Sequence, residues 1–279
     1  MASKHIPSTV RKIVALRSSH KFREVAKIVT EPTPKPGEGE ILVKNRFVGI
    51  NASDINFTAG RYDPKAKFPL DTGFEALGEV VAAGPKSLYQ PGQAVMYCQY
   101  GAFSDYKVVN SNRVIPLPAV KAEFLPFILS GNTAAISLDR VQWAKLKGCH
   151  VIGTCSSDEK VQFLKKGVDV VYEAVGGEMF DTCVDSLALK GRLIIIGYIE
   201  GYESDKGYKP SRVLATLPAR VQYFNEGRMQ SIVDKGERTP GGPFKGLEKV
   251  ADAVEYLYSK KSIGKIVVEL GEDTPRSNL

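Results

Sequence analysis

The chain has 279 residues, 43% of them apolar and 25% charged, enough for a sizeable core in one large domain or two ordinary ones. Those proportions exclude a disordered chain, a collagen-like repeat and a disulfide-dense mini-protein. The 38 basic and 31 acidic residues leave a net charge of +7 without a block of like charges, which argues against a nucleic-acid partner. Four cysteines (Cys98, Cys149, Cys155 and Cys183) are too few and too irregularly spaced for a disulfide framework or a zinc lobe. They predict free thiols in a reducing compartment. Residues 1–19 lack the pattern of a secretory signal, and the longest near-continuous apolar run, 193–199, falls far short of the roughly 20 residues a membrane span needs. A soluble intracellular protein is therefore expected.

In chain order, the first 120 residues read as β-rich. Short runs bearing Val, Ile and Phe at 13–16, 41–47, 78–81, 94–97 and 103–109 are separated by Pro and Gly clusters at 32–39 and 91–92. Such spacing predicts a barrel or a sandwich. From Phe124 onward the texture changes. Helical stretches over 124–139, 141–147, 158–166 and 179–187 alternate with compact apolar strands over 150–154, 168–173 and 192–197. That alternation predicts a parallel α/β sheet. An amphipathic helix over 247–258 and a strand over 265–270 close the chain, which is thus expected to hold two domains of different class.

Four short runs carry candidate chemistry. Gly153-Thr154-Cys155-Ser156-Ser157-Asp158-Glu159-Lys160 follows a strand and opens a helix. Ser156 or Ser157 can cap that helix, and capping alone would explain the serines. A functional reading adds Lys160. In a dinucleotide fold a carboxylate at this strand end binds the ribose diol of NAD, whereas hydroxyls and a cation accommodate the 2′-phosphate of NADP. No carboxylate precedes Asp158, so such a fold would favour NADP. Gly197-Tyr198-Ile199-Glu200-Gly201-Tyr202 follows a second strand, either as a surface loop or at the ligand-binding edge of an open sheet. Gly49-Ile50-Asn51-Ala52-Ser53-Asp54, with Ala59-Gly60-Arg61-Tyr62 soon after, has the composition of a turn or helix cap. In the run from Thr72 to Val80 the glycines mark a bend into a strand.

Together these runs resemble the medium-chain dehydrogenase/reductase superfamily, in its zinc-free quinone-oxidoreductase and prostaglandin-reductase branch. The matching runs are Asn51-Ala52-Ser53-Asp54, Arg61-Tyr62-Asp63-Pro64, Gly73-Phe74-Glu75, Gly131-Asn132-Thr133-Ala134, 170–177 and 264–270, in order across nearly the whole length. The resemblance implies an α/β plus β protein. A GroES-like, β-barrel-type catalytic domain would span 1–130, a Rossmann-type nucleotide-binding domain 131–245, and a return to the first domain 246–279. It also implies NADP as cofactor, used as NADPH to reduce the conjugated double bond of an enone, with 15-oxo-prostaglandins or related lipid enones as small-molecule substrates. Homodimers are common in the branch.

Residue by residue, Tyr202 matches the tyrosine whose hydroxyl lies by the nicotinamide ribose and the enolate oxygen. Asn51 and Tyr62 match positions beside the nicotinamide, and Thr133 lies near the phosphates. Ser156 and Lys160 would hold the 2′-phosphate, with Glu173, Gly176, Gly197, Ile199 and Ser262 lining the groove. No metal is expected, because zinc-dependent relatives carry a histidine where this chain has Phe74.

The resemblance also exposes a shortfall. Relatives place a glycine-rich phosphate loop before the helix at 141–147, whereas here Ser137-Leu138-Asp139-Arg140 runs straight into it. The backbone N–H cradle of that loop is missing, and further shortfalls fall at 166–167 and near 220–221. An alternative of another class follows: a catalytically inactive interaction or lipid-binding protein that has lost its phosphate loop. The terminal Ser277-Asn278-Leu279 is a degraded form of the Ser-Lys-Leu peroxisomal address. It raises a peroxisomal import receptor as a partner, with the cytoplasm as the other location.

Overall fold

In the computed structural model, which describes residues 6–63, 65–133, 168–173, 175–185, 187–195, 199–202, 241–259 and 265–271, the β-branched runs form strands where Pro and Gly bound them. Two units result, one from residues 1–132 and 222–279, the other from 133–221. In chain order the first unit begins with β1 (Thr9–Ala15), a single helical turn α1 (Phe22–Val25) and β2 (Ala26–Pro32). There follow β3 (Glu40–Gly49), α2 (Ser53–Thr58), β4 (Leu70–Asp71), β5 (Glu75–Ala83), β6 (Ala94–Cys98), β7 (Tyr106–Asn110) and β8 (Val114–Leu117).

The second unit contributes β9 (Val168–Glu173), α3 (Gly177–Asp185) and β10 (Leu187–Ile195). The chain then supplies β11 (Gly241–Lys245), a 3-10 turn (Leu247–Lys249), α4 (Val250–Tyr258) and β12 (Ile266–Glu269) to the first unit.

β3 organises the first unit. One of its edges pairs antiparallel with β5 from Ile41 to Gly49; the other takes β7 along Glu40–Lys44 and β12 along Phe47–Gly49. The larger sheet runs β11-β12-β3-β5-β6-β8, with β7 on β3, and β2-β1-β4 forms a smaller one. Alternate side chains of β3 and β5 (Ile41, Val43, Val48, Ala76, Val80) enter one core with Phe103, Ile266 and Val268. Onto that core α4 lays its apolar face of Val250, Ala253 and Val254. A return strand hydrogen-bonded to the central strand brings residues more than 200 positions apart to the Gly49 end of β3.

Expected and observed elements differ in places. The helix anticipated over 124–139 is helical as far as described but irregular, with a 3-10 turn (Ala122–Phe124) and a π turn (Phe127–Gly131) flanking α-helical residues at 125–126 and followed by more at 132–133. Pro126, which has no N–H to donate, stands between the two turns. In the second unit, β9 and β10 are parallel neighbours with Ile195 opposite Glu173, and α3 lies between them in sequence. This is the strand–helix–strand unit of a Rossmann-type sheet. The expected elements at 141–147, 150–154 and 158–166, and the terminal Ser277–Leu279, lie outside the described residues. No described helix is long and apolar enough to cross a membrane.

Candidate active site

β3 ends at Gly49 and α2 begins at Ser53, so Asn51 lies in the tight passage between them. Its backbone N–H donates to Asp54 Oδ2 at 2.8 Å, and the Asp54 N–H donates back to the Asn51 carbonyl at 3.0 Å. This is the acidic half of a capping box. With its backbone so held, Asn51 turns its side chain toward β5 and the start of β12. Lys265 Nζ donates to Asn51 Oδ1 at 2.6 Å, and Asn51 Nδ2 donates to Glu75 Oε2 at 3.2 Å.

Lys265 and Glu75 themselves form an ion pair at 2.5 Å, with side chains only 6% and 0% exposed. Ser130 Oγ lies 3.5 Å from the same ammonium. Gly49 makes room for the cluster: a Cβ there would overlap Glu75 Oε2 and press on Lys265 Cε. Glu75 Oε1 is buried and has no hydrogen-bond partner among the described residues.

Burial raises the Asp54 carboxyl to about 7. The Asn51 N–H and the Lys265 ammonium oppose that shift, and the Glu75 charge adds to it. Across the ladder from Glu75, the Cys98 thiol is also raised by burial and by Glu75, so it is held as a thiol rather than a thiolate nucleophile. Beside this polar cluster sits an aromatic one. Tyr100 stacks on Phe57 with ring centroids 3.7 Å apart and meets Phe74 at 4.9 Å. Tyr62, 53% exposed, receives a long hydrogen bond from Asn56 Nδ2 at 3.4 Å, and the Arg61 guanidinium donates to Asn56 Oδ1 at 2.8 Å. Asn51 and Tyr62 thus both flank α2.

In the second unit, Glu173 stands at the C-terminal end of β9, the end at which open α/β sheets bind ligands. Its Oε1 accepts the N–H groups of Val175 and Gly176 at 2.5 and 2.7 Å. Gly176 has φ +82°, a value that favours glycine, and so permits this tight loop. Oε2 of Glu173 is buried without a partner among the described residues, an acceptor suited to a sugar hydroxyl. After β10, Ile199–Gly201 form a 3-10 turn, and the Tyr202 N–H donates to the Ile199 carbonyl at 3.1 Å. Thr133 is the first residue of this unit. Ser156, Lys160, Gly197 and Ser262 lie outside the described residues.

Asn51 stands out in the sequence, whereas Lys265 and Tyr100 do not, and Glu75 does so only as part of the Gly73-Phe74-Glu75 family run. A lysine opening an apolar strand and a glutamate following Gly-Phe were the only signals, and neither reports a partner so far along the chain.

Two family models match: the alcohol dehydrogenase GroES-like domain over residues 37–119 and the zinc-binding dehydrogenase over residues 149–268. Prostaglandin reductase-3 of Mus musculus is 42% identical over 341 positions, covering 95% of this chain and 90% of its own. The Bos taurus protein of that name is also 42% identical, with the same coverage. The alignment with the mouse protein is 62 positions longer than the chain's 279 residues, so that relative carries at least that many residues where this chain has none. Among solved structures, a mycobacterial protein complexed with NADPH superposes with TM-score 0.67 at 22% identity, covering 93% of this chain and 99% of that one.

The second family is a zinc-binding one, and the residues described here do not suit a metal. Phe74 packs against Tyr100, and the Lys265 ammonium already occupies Glu75 Oε2. No three His, Cys, Asp or Glu among the described residues stand close enough to hold an ion.

Asp54 gives this cluster a pH signature. Its carboxyl moves from 3.8 to about 7 on folding, so the native state holds a proton that the unfolded chain has released. Stability should therefore be greatest below pH 4 as far as this group is concerned, fall by about 1.4 kcal/mol per pH unit toward 7, and level off above. Urea unfolding of the wild type and of Asp54→Asn across that window checks this. The difference between their stabilities should carry the slope, and parallel curves would contradict it.

Proposed function

Because this chain belongs to the medium-chain dehydrogenase/reductase superfamily, we propose that it is an NADPH-dependent reductase of conjugated enones, with 15-oxo-prostaglandins or related lipid enones as its substrates. The observation that carries this reading is the 42% identity sustained over 90% of Prostaglandin reductase-3. The buried acceptor on Glu173, at the ligand-binding edge of a parallel strand pair, supports it.

NADPH, when bound, supplies hydride to the β-carbon of the enone, and the chain supplies binding, orientation and electrostatics. In this reading Glu173 Oε2 accepts a ribose hydroxyl, and Gly176 lets the backbone approach the cofactor. Thr133, Gly197, Ile199 and Ser262 complete that groove, while Ser156 and Lys160 hold the 2′-phosphate. The Tyr202 hydroxyl donates to the carbonyl oxygen as it gains enolate charge, so its contribution grows toward the transition state. Asn51 and Tyr62 border the nicotinamide. No step is assigned to a metal.

A second reading, an inactive interaction or lipid-binding protein, draws on the shortfall of at least 62 positions against the mouse relative and on the missing glycine loop before 141. Titrating the chain with NADPH and following its consumption in the presence of a 15-oxo-prostaglandin separates the two. Binding and turnover are expected, whereas no detectable binding would favour the inactive protein.

Two variants probe the assignments within that assay. Lys160→Ala should weaken NADPH by about 10- to 100-fold, the worth of a charge-assisted contact, and leave NADH nearly unchanged. Equal losses for both cofactors would reject Lys160. Tyr202→Phe should lower kcat more than it raises KM, and a kinetically silent variant would reject the tyrosine as donor.

A further inference from the structure

We infer that Lys265 is a positioning residue: its buried ammonium, held in place by Glu75, sets which way the Asn51 amide faces. The inference rests on the reductase reading above for its consequence in turnover, but the geometry stands apart from it. The two ends of an asparagine amide are nearly equal in shape and opposite in hydrogen-bonding sense. Left to itself such a group turns over easily, and only its partners define it. Here Lys265 can only donate, whereas the Glu75 carboxylate and, more weakly at 3.4 Å, the Gly49 carbonyl can only accept. Lys265 Nζ lies 2.6 Å from Oδ1, and Glu75 Oε2 lies 3.2 Å from Nδ2. Turning the amide over would set an NH2 group against an ammonium and a carbonyl oxygen against a carboxylate. In a buried site both contacts are strongly unfavourable, because little water screens them.

The pair is poorly designed for stability alone. Taking two charges out of water is costly, and apolar residues of similar volume often replace such pairs without loss. Glu75 Oε1 is moreover left without a partner among the described residues, a further penalty that a purely structural pair would avoid. The pair does, however, give direction to a side chain lying in the passage into α2, the element that also carries Phe57 and leads to Tyr62.

The test compares the full-length wild type with Lys265→Met, Glu75→Gln and the double variant. Lys265→Met strands a buried carboxylate and should lower the melting temperature, and the double variant should recover much of that loss because neither charge is left alone. Positioning predicts that kcat for enone reduction, measured well below melting, drops by about 10- to 100-fold in both Lys265→Met and the double variant. The Kd for NADPH should stay within about threefold of wild type, since turning one amide beside the nicotinamide leaves the other cofactor contacts in place. Recovery of kcat together with stability in the double variant would show a merely structural pair and overturn the inference.

A second readout does not depend on turnover. With nitrogen-15 placed in asparagine, the Asn51 side-chain signal, assigned by its loss in Asn51→Ala, should have widely separated proton shifts in the wild type. They should draw together in the double variant, and unchanged shifts there would overturn the inference. If the wild type reduces no enone, the reductase reading fails while this signal still decides whether Lys265 orients Asn51.

Discussion

The buried ion pair between Lys265 and Glu75 is the contact around which the polar cluster of the first unit is built. It joins the residue just before β12 to the first residue of β5 and, through Asn51, to the loop that starts α2. Three stretches of chain that share no local sequence relation are thereby locked at one point. Breaking a buried pair by removing one partner costs about 3–5 kcal/mol, a large fraction of the stability of an ordinary domain. Its surroundings are fitted to it. Gly49 leaves space for the carboxylate, Asp54 ties down the loop backbone, and β12 pairs with the end of β3 rather than its middle.

The second unit solves a different problem with the same economy of polar groups. One oxygen of Glu173 is used up in shaping its own loop, through the N–H groups of Val175 and Gly176, and the other stays unmatched among the described residues. A carboxylate at the end of a parallel strand is thus held rigid with one acceptor to spare. That free acceptor suits a hydroxyl-bearing ligand.

Much of the fold was legible because periodicity reports burial. β3, β5, β6 and β9 carry dense apolar runs and stand where the sequence put strands. β2 escaped, because Ala26–Pro32 is almost wholly unburied and shows no alternation, its register being set by β1. β11 escaped for a similar reason: Gly-Gly-Pro reads as a turn, and only pairing with β12 makes it a strand. Around Asn51 the turn composition was legible locally, whereas Glu173 and Gly176 were reached only through the family resemblance. Lys265 and Glu75 were illegible because 190 residues separate them, and no pattern in a single chain says that a strand-opening lysine will meet a buried glutamate.

The return strand is locked to the loop that carries Asn51 and does not open on its own. The Ile50 N–H is bonded to the Ile266 carbonyl at 3.1 Å, and the Leu270 N–H to the Arg46 carbonyl at 2.8 Å, so amide hydrogen exchange at these two residues reads that lock directly. Both should exchange as slowly as the central β3–β5 amides, and both should quicken together in Lys265→Met. Fast, independent exchange at Ile50 and Leu270 in the wild type, with β3 and β5 still protected, would contradict the account.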